Sequence, residues 1–102
     1  MFYVFTYVKE SEMIHHQPVF EYMLLKANSL KLHGASAFKG IMGFGDHHRI
    51  HTMKIIDLSS DIPVKLEIID QKEKILSFIN VIKKELPEIT FYGYEIMTDN
   101  EF

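Results

Sequence analysis

Apolar residues recur along this chain with two different periods, and the alternation between those periods predicts the fold. From Phe2 to Val8, the residues Phe2, Val4, Thr6 and Val8 fall on one face and Tyr3, Phe5 and Tyr7 on the other, which is the two-residue period of a strand. Both faces are apolar, so the segment reads as an inner strand, or as an edge strand whose second face meets another subunit. Lys9 to Gln17 is polar and reads as a connection. Pro18 can open a helix, because the N–H it lacks would be unpaired there anyway. Phe20, Met23, Leu24 and Ala27 then recur at helical spacing, Leu30 or Leu32 can extend the stripe, and Gly34 supplies a C-terminal stop. Ala35 to Met42 returns to strand character, with small residues that admit a close neighbour. Ile50 to Leu58 alternates loosely and fits strand, loop or both. Ile62 to Ile69 is the clearest strand, with Val64, Leu66 and Ile68 opposite Lys65 and Glu67. Asp70 to Glu73 reads as a capping box, with the Asp70 carboxylate accepting from the Glu73 N–H. It opens a helix with a stripe of Ile75, Phe78, Ile79, Ile82 and Leu86, which Pro87 ends. Ile89 to Met97 reads as a last strand, followed by a polar tail.

The order strand, helix, strand, strand, helix, strand is the ferredoxin-like βαββαβ arrangement of the α+β class. It predicts one domain over residues 1–102: a four-stranded antiparallel sheet with two helices on one face. The other face stays open and carries aromatics such as Tyr92 and Tyr94, or Tyr3 and Tyr7. An open face this apolar predicts a homo-oligomer that buries it.

Composition narrows the function. The 102 residues make one modest core, and 47% hydrophobic content argues for a folded chain. The apolar runs are too short to span a bilayer, and the N-terminus has no basic region or small-residue cleavage site. With no cysteine, thiol chemistry and cysteine zinc sites are excluded, and a cytoplasmic setting is expected. A net charge of −3 and a single arginine, Arg49, give no field for nucleic acid.

Candidate chemistry concentrates between Gly40 and Thr52, which hold three of the five glycines and three of the six histidines. Gly43-Phe44-Gly45 can form a backbone nest whose N–H groups point at an anion, with Arg49 offering a forked contact to phosphate or carboxylate. His47, His48 and His51 could share zinc, nickel or copper, with His15 and His16 helping from elsewhere. Arg49 among them opposes a dication, and Asp46 is the one nearby carboxylate, so metal is the weaker reading. Ser59 and Ser60 lack a nucleophile-elbow context and the carboxylates form no evident pair, so no enzyme is expected.

The motifs Gly34-Ala35, Phe38-Lys39-Gly40-Ile41-Met42-Gly43-Phe44-Gly45, Arg49-Ile50-His51-Thr52, Leu58-Ser59-Ser60-Asp61-Ile62-Pro63-Val64, Glu67-Ile68-Ile69-Asp70 and Glu73-Lys74-Ile75 occur in that order. Together they resemble the bacterial DUF190 family, which looks related to the PII signalling and CutA proteins. The resemblance implies a homotrimer assembled around its sheets. It also implies a flexible effector arm at about residues 43–61, and nucleotides bound in clefts between subunits near the arm's base. Carried onto this chain, it gives Gly40, Gly43, Phe44, Gly45, Arg49 and His51 as ligand-binding candidates. It implies an adenine nucleotide or other small anion as effector, and a partner protein such as a transporter or enzyme. The chain departs from PII proteins at Glu85-Leu86-Pro87-Glu88, where two acids replace their phosphate-holding glycine and lysine residues. That favours a ligand smaller or less charged than ATP. The alternatives are a CutA-like metal-binding trimer and an interaction module without a small ligand.

Overall fold

The computed structural model describes residues 1–45, 50–52 and 61–102. The elements, in chain order, are β1 (Phe2–Lys9), β2 (Met13–Ile14), β3 (Gln17–Pro18), α1 (Val19–Ser29), β4 (Gly34–Lys39) and β5 (Met42–Gly43), then β6 (His51–Thr52), β7 (Pro63–Asp70), α2 (Lys72–Glu85) and β8 (Tyr92–Glu95). A 3-10 turn, Asp99–Glu101, follows. β1 and β7 pair antiparallel along their whole length, from Phe2 opposite Asp70 to Lys9 opposite Pro63. β4 pairs with the other edge of β7, and β8 with the other edge of β1. The sheet order is β4-β7-β1-β8, with all pairs antiparallel, which is the expected ferredoxin-like topology.

The β1 and β7 alternation sends Val4, Thr6, Val8, Val64, Leu66 and Ile68 to one face, where all are buried. α1 covers this face with Val19, Met23 and Ala27, and α2 with Ile75, Phe78 and Ile82. Phe78, Met23, Leu66 and Ile82 are fully enclosed, and burial of each such side chain contributes about 1.5–3 kcal/mol. Thr6 lies in the same layer because its hydroxyl donates to the Thr90 carbonyl at 2.7 Å, which pins the α2–β8 connection onto β1.

Four local expectations are corrected. Asp70 does not cap α2: its carboxylate accepts from the Gln71 N–H at 2.6 Å and the His33 N–H at 2.8 Å, which ties the α1–β4 connection to the start of α2. Gly34 does not stop α1, which ends at Ser29. Lys31 takes the left-handed position at φ 59°, and the Leu32 and Lys31 amides donate back to the Ala27 and Asn28 carbonyls, a Schellman closure. The last strand covers only Tyr92–Glu95, because Ile89 is buried and Thr90 is held by Thr6. The stretch read as a connection contains the β2–β3 hairpin, whose turn residues His15 and His16 both have positive φ, as a type I′ turn requires.

Candidate functional site

The segment read as an arm leaves the sheet at the end of β4 and returns at β7. Its base is packed backbone. The Gly40 N–H donates to the Pro63 carbonyl at 2.7 Å. A Cβ on Gly40 or on Gly43 would lie 3.0 Å from Pro63 Cγ, so both glycines let the chain sit tightly against one proline ring. β5 then pairs with β6, Met42 opposite Thr52 and Gly43 opposite His51, so the base continues as a short ribbon. No glycine among the described residues has positive φ. Ile41, Met42 and Phe44 are 75%, 54% and 64% exposed, apolar groups displayed just above the sheet.

Of the predicted ligand residues, Gly40 and Gly43 meet at Pro63, while Phe44 and Gly45 follow directly on the ribbon. His51 takes part through its backbone in β6. Arg49, His47 and His48 lie outside the described residues. Among the described residues no three histidines or carboxylates come together as a metal cluster. His15 is engaged elsewhere: its Nε2 lies 2.9 Å from Glu85 Oε1.

Both feet of the arm are gripped by the turn after β1, a feature the sequence reading missed. Lys39 Nζ lies 2.6 Å from Glu10 Oε2. The Ser11 hydroxyl and N–H both donate to the Asp61 carboxylate, at 2.6 and 3.1 Å, and the Glu10 N–H donates to the Ile62 carbonyl at 2.9 Å. Pairs so far apart in sequence leave no local signal.

The open face of the sheet is a connected aromatic surface. Tyr3 contacts Tyr94 and Phe5 with ring centres 5.4 and 5.6 Å apart, and Phe5 contacts Tyr92 and Tyr7 at 5.7 and 5.9 Å. Lys65 lies over Tyr3 and Phe5, 5.3 and 5.0 Å from the ring centres, and the Tyr3 hydroxyl donates to Glu67 at 2.9 Å. Burial pushes the Tyr3 phenol up, and the Tyr3 oxygen beside Lys65 holds its ammonium in the charged form.

Two grooves lie elsewhere on the subunit. One, of about 700 Å³, runs between Met1, His33 and the C-terminal turn, at the opposite end of the sheet from the arm. Its Asp99 and Glu101 carboxylates repel an anion. The other, of about 410 Å³, lies between the helices at Tyr22, Lys26 and Glu85. There the Tyr22 hydroxyl donates to Glu85, which pushes the phenol up to about 12 and holds the Glu85 carboxyl below its usual range, with His15 adding to the latter.

The four-stranded antiparallel sheet and its two helices define a ferredoxin-like α+β subunit. The chain belongs to the DUF190 family (uncharacterized ACR, COG1993), whose pattern matches residues 1–98. A UPF0166 protein of Aquifex aeolicus strain VF5 is 38% identical over 77 residues, 76% of this chain and 73% of the relative. Another match to a UPF0166 protein of that organism is 38% identical over 48 residues, 47% of this chain and 50% of the relative. A crystal structure of a candidate PII-like signalling protein from Thermus thermophilus superposes with a TM-score of 0.57 at 18% identity, covering 91% of this chain and 82% of that one. The last likeness is one of fold. Among the described residues, no helix is long and apolar enough to cross a membrane.

Proposed function

We propose that the chain is a PII-like regulatory subunit that binds a small anionic metabolite or nucleotide and signals to a partner protein. One observation carries this reading: the ribbon that follows β4 is seated on Pro63 through Gly40 and Gly43 and presents backbone and apolar groups outward. A firm base under an exposed ribbon suits a signal read by a second protein. The DUF190 membership and the PII-like fold support the same reading.

In this scheme three copies associate through the aromatic sheet face, and the ligand lies in the clefts this creates near residues 43–61. Gly43 and Gly45 offer N–H groups, Arg49 supplies a guanidinium fork, and Gly40, Phe44 and His51 complete the surroundings. The acids Glu85 and Glu88, on the α2–β8 join, favour a ligand with less charge than a triphosphate. The subunit performs no chemistry of its own. It works in the cytoplasm, and its partner is a protein such as a transporter or enzyme.

Calorimetry against a panel of adenine nucleotides and small dicarboxylates tests the scheme. One class binds, and Arg49→Ala weakens that binding by about tenfold or more, the value of a charge-assisted forked contact. No binding across the panel, or unchanged affinity in the variant, overturns it. Native mass spectrometry adds the subunit number, and a monomer removes the intersubunit cleft.

A further inference from the structure

We propose that the Glu10–Ser11 turn is the positioning element of the arm, fixing the direction in which both of its strands leave the sheet before any ligand arrives. That the segment is an effector arm rests on the reading above. The grip itself rests on geometry alone.

The turn meets the outgoing foot by charge and the returning foot by hydrogen bonds. Glu10 pairs with Lys39, the last residue of β4, at 2.6 Å. Ser11 uses its hydroxyl and its amide on the two oxygens of Asp61, a bidentate contact that fixes the carboxylate's orientation as well as its distance. The Glu10 amide adds a bond to the Ile62 carbonyl at 2.9 Å. Between the feet, Gly40 donates to the Pro63 carbonyl, so the two strands are also tied to each other.

A grip can position only if the gripping part is itself held. The Lys9 amide donates to the Glu12 carboxylate at 2.9 Å, and the Glu12 amide donates to the Lys9 carbonyl at 3.1 Å, which closes the turn twice. The Glu12 carbonyl accepts from Val19, the first residue of α1 and a buried core residue, at 2.8 Å. The turn is therefore anchored in β1 on one side and in the helical layer on the other. It joins that layer to a segment with which the helices share no strand pairing.

Amide hydrogen exchange on the ligand-free protein tests this. Ser11→Ala and Glu10→Lys should each speed exchange at the Glu10 and Gly40 amides by about three- to tenfold, the loss of one modest hydrogen bond or ion pair. The Thr6 amide, in the paired centre of β1, should not change. Ser11→Thr, which keeps the hydroxyl, should restore the native rates, as should the swapped pair Glu10→Lys with Lys39→Glu. Unchanged rates at Glu10 and Gly40 overturn the proposal. So does acceleration spread evenly through β1 and β7, or failure of both rescues. Because no ligand is present, a failed nucleotide screen removes the proposed function without touching this result.

Discussion

The two faces of one sheet make the most informative comparison in this molecule. The same strands build both. β1 gives Val4, Thr6 and Val8 to the covered side and Tyr3, Phe5 and Tyr7 to the open side. On the covered side, compact β-branched residues interlock with α1 and α2. On the open side, large rings contact one another across β1 and β8, with Lys65 lying over two of them. The covered face secures the subunit's own fold. The open face keeps apolar area that two helices on the far side cannot reach, and its rings suit contact with another molecule.

Substitutions should separate these roles, and Phe78→Ala should have the largest effect. It empties a fully buried ring site and should cost about 3–5 kcal/mol in urea unfolding. A loss under about 1 kcal/mol would mean that the helical layer does not hold the fold. Gly93→Ala comes next, because its Cβ would lie 2.5 Å from the Tyr3 carbonyl oxygen and 2.9 Å from Val4 Cγ2. β8 must then move off β1, at about 1–3 kcal/mol. A neutral outcome would show that β8 adds little to the sheet.

Tyr94→Lys tests the open face. Tyr94 is 59% exposed, so the subunit's circular dichroism should survive while sedimentation velocity shows smaller assemblies. Unchanged assembly in this variant would separate the aromatic face from association. A smaller, opposite effect is expected at Lys31→Gly. Lys31 occupies a left-handed position that suits glycine, and relief of its strain should raise stability by about 1 kcal/mol.

Tyr22→Phe is marked by the pH dependence of its effect. Tyr22 is raised to about 12 by its bond to Glu85 and by burial. A group raised in the fold contributes stability that is complete below its unfolded value, near 10, and lost as pH climbs through the folded value. The native protein should therefore lose this contribution between about pH 10 and 12, and the variant should lack that slope. An ultraviolet titration with every tyrosine ionising below that window would contradict the assignment.

The strands with strict alternation were legible because burial on one side imposes a period of two, which β7 obeys through its whole length and β1 from Tyr3 onward. Helix ends were less legible. Lys31 performs a task expected of Gly34, and Asp70 serves two neighbouring amides rather than the helix it precedes. The β2–β3 hairpin was missed because its turn holds two histidines instead of the usual asparagine and glycine. At the candidate site, sequence singled out Gly43 as part of an anion-binding nest and placed Gly40 among small residues that admit a close neighbour. In the structure both lie against Pro63, a partner about twenty residues away that no local pattern reveals. The Glu10–Lys39 and Ser11–Asp61 contacts were silent for the same cause.

The rim of the sheet carries one last consequence. Its outermost strands are short: β8 has four residues around a glycine with no room for a side chain, and the six of β4 end in a charged lysine. Trimmed borders of this kind discourage sideways growth into fibrils, whereas a broad greasy plane invites stacking. A strand arriving from another copy thus finds little backbone to pair with at either border.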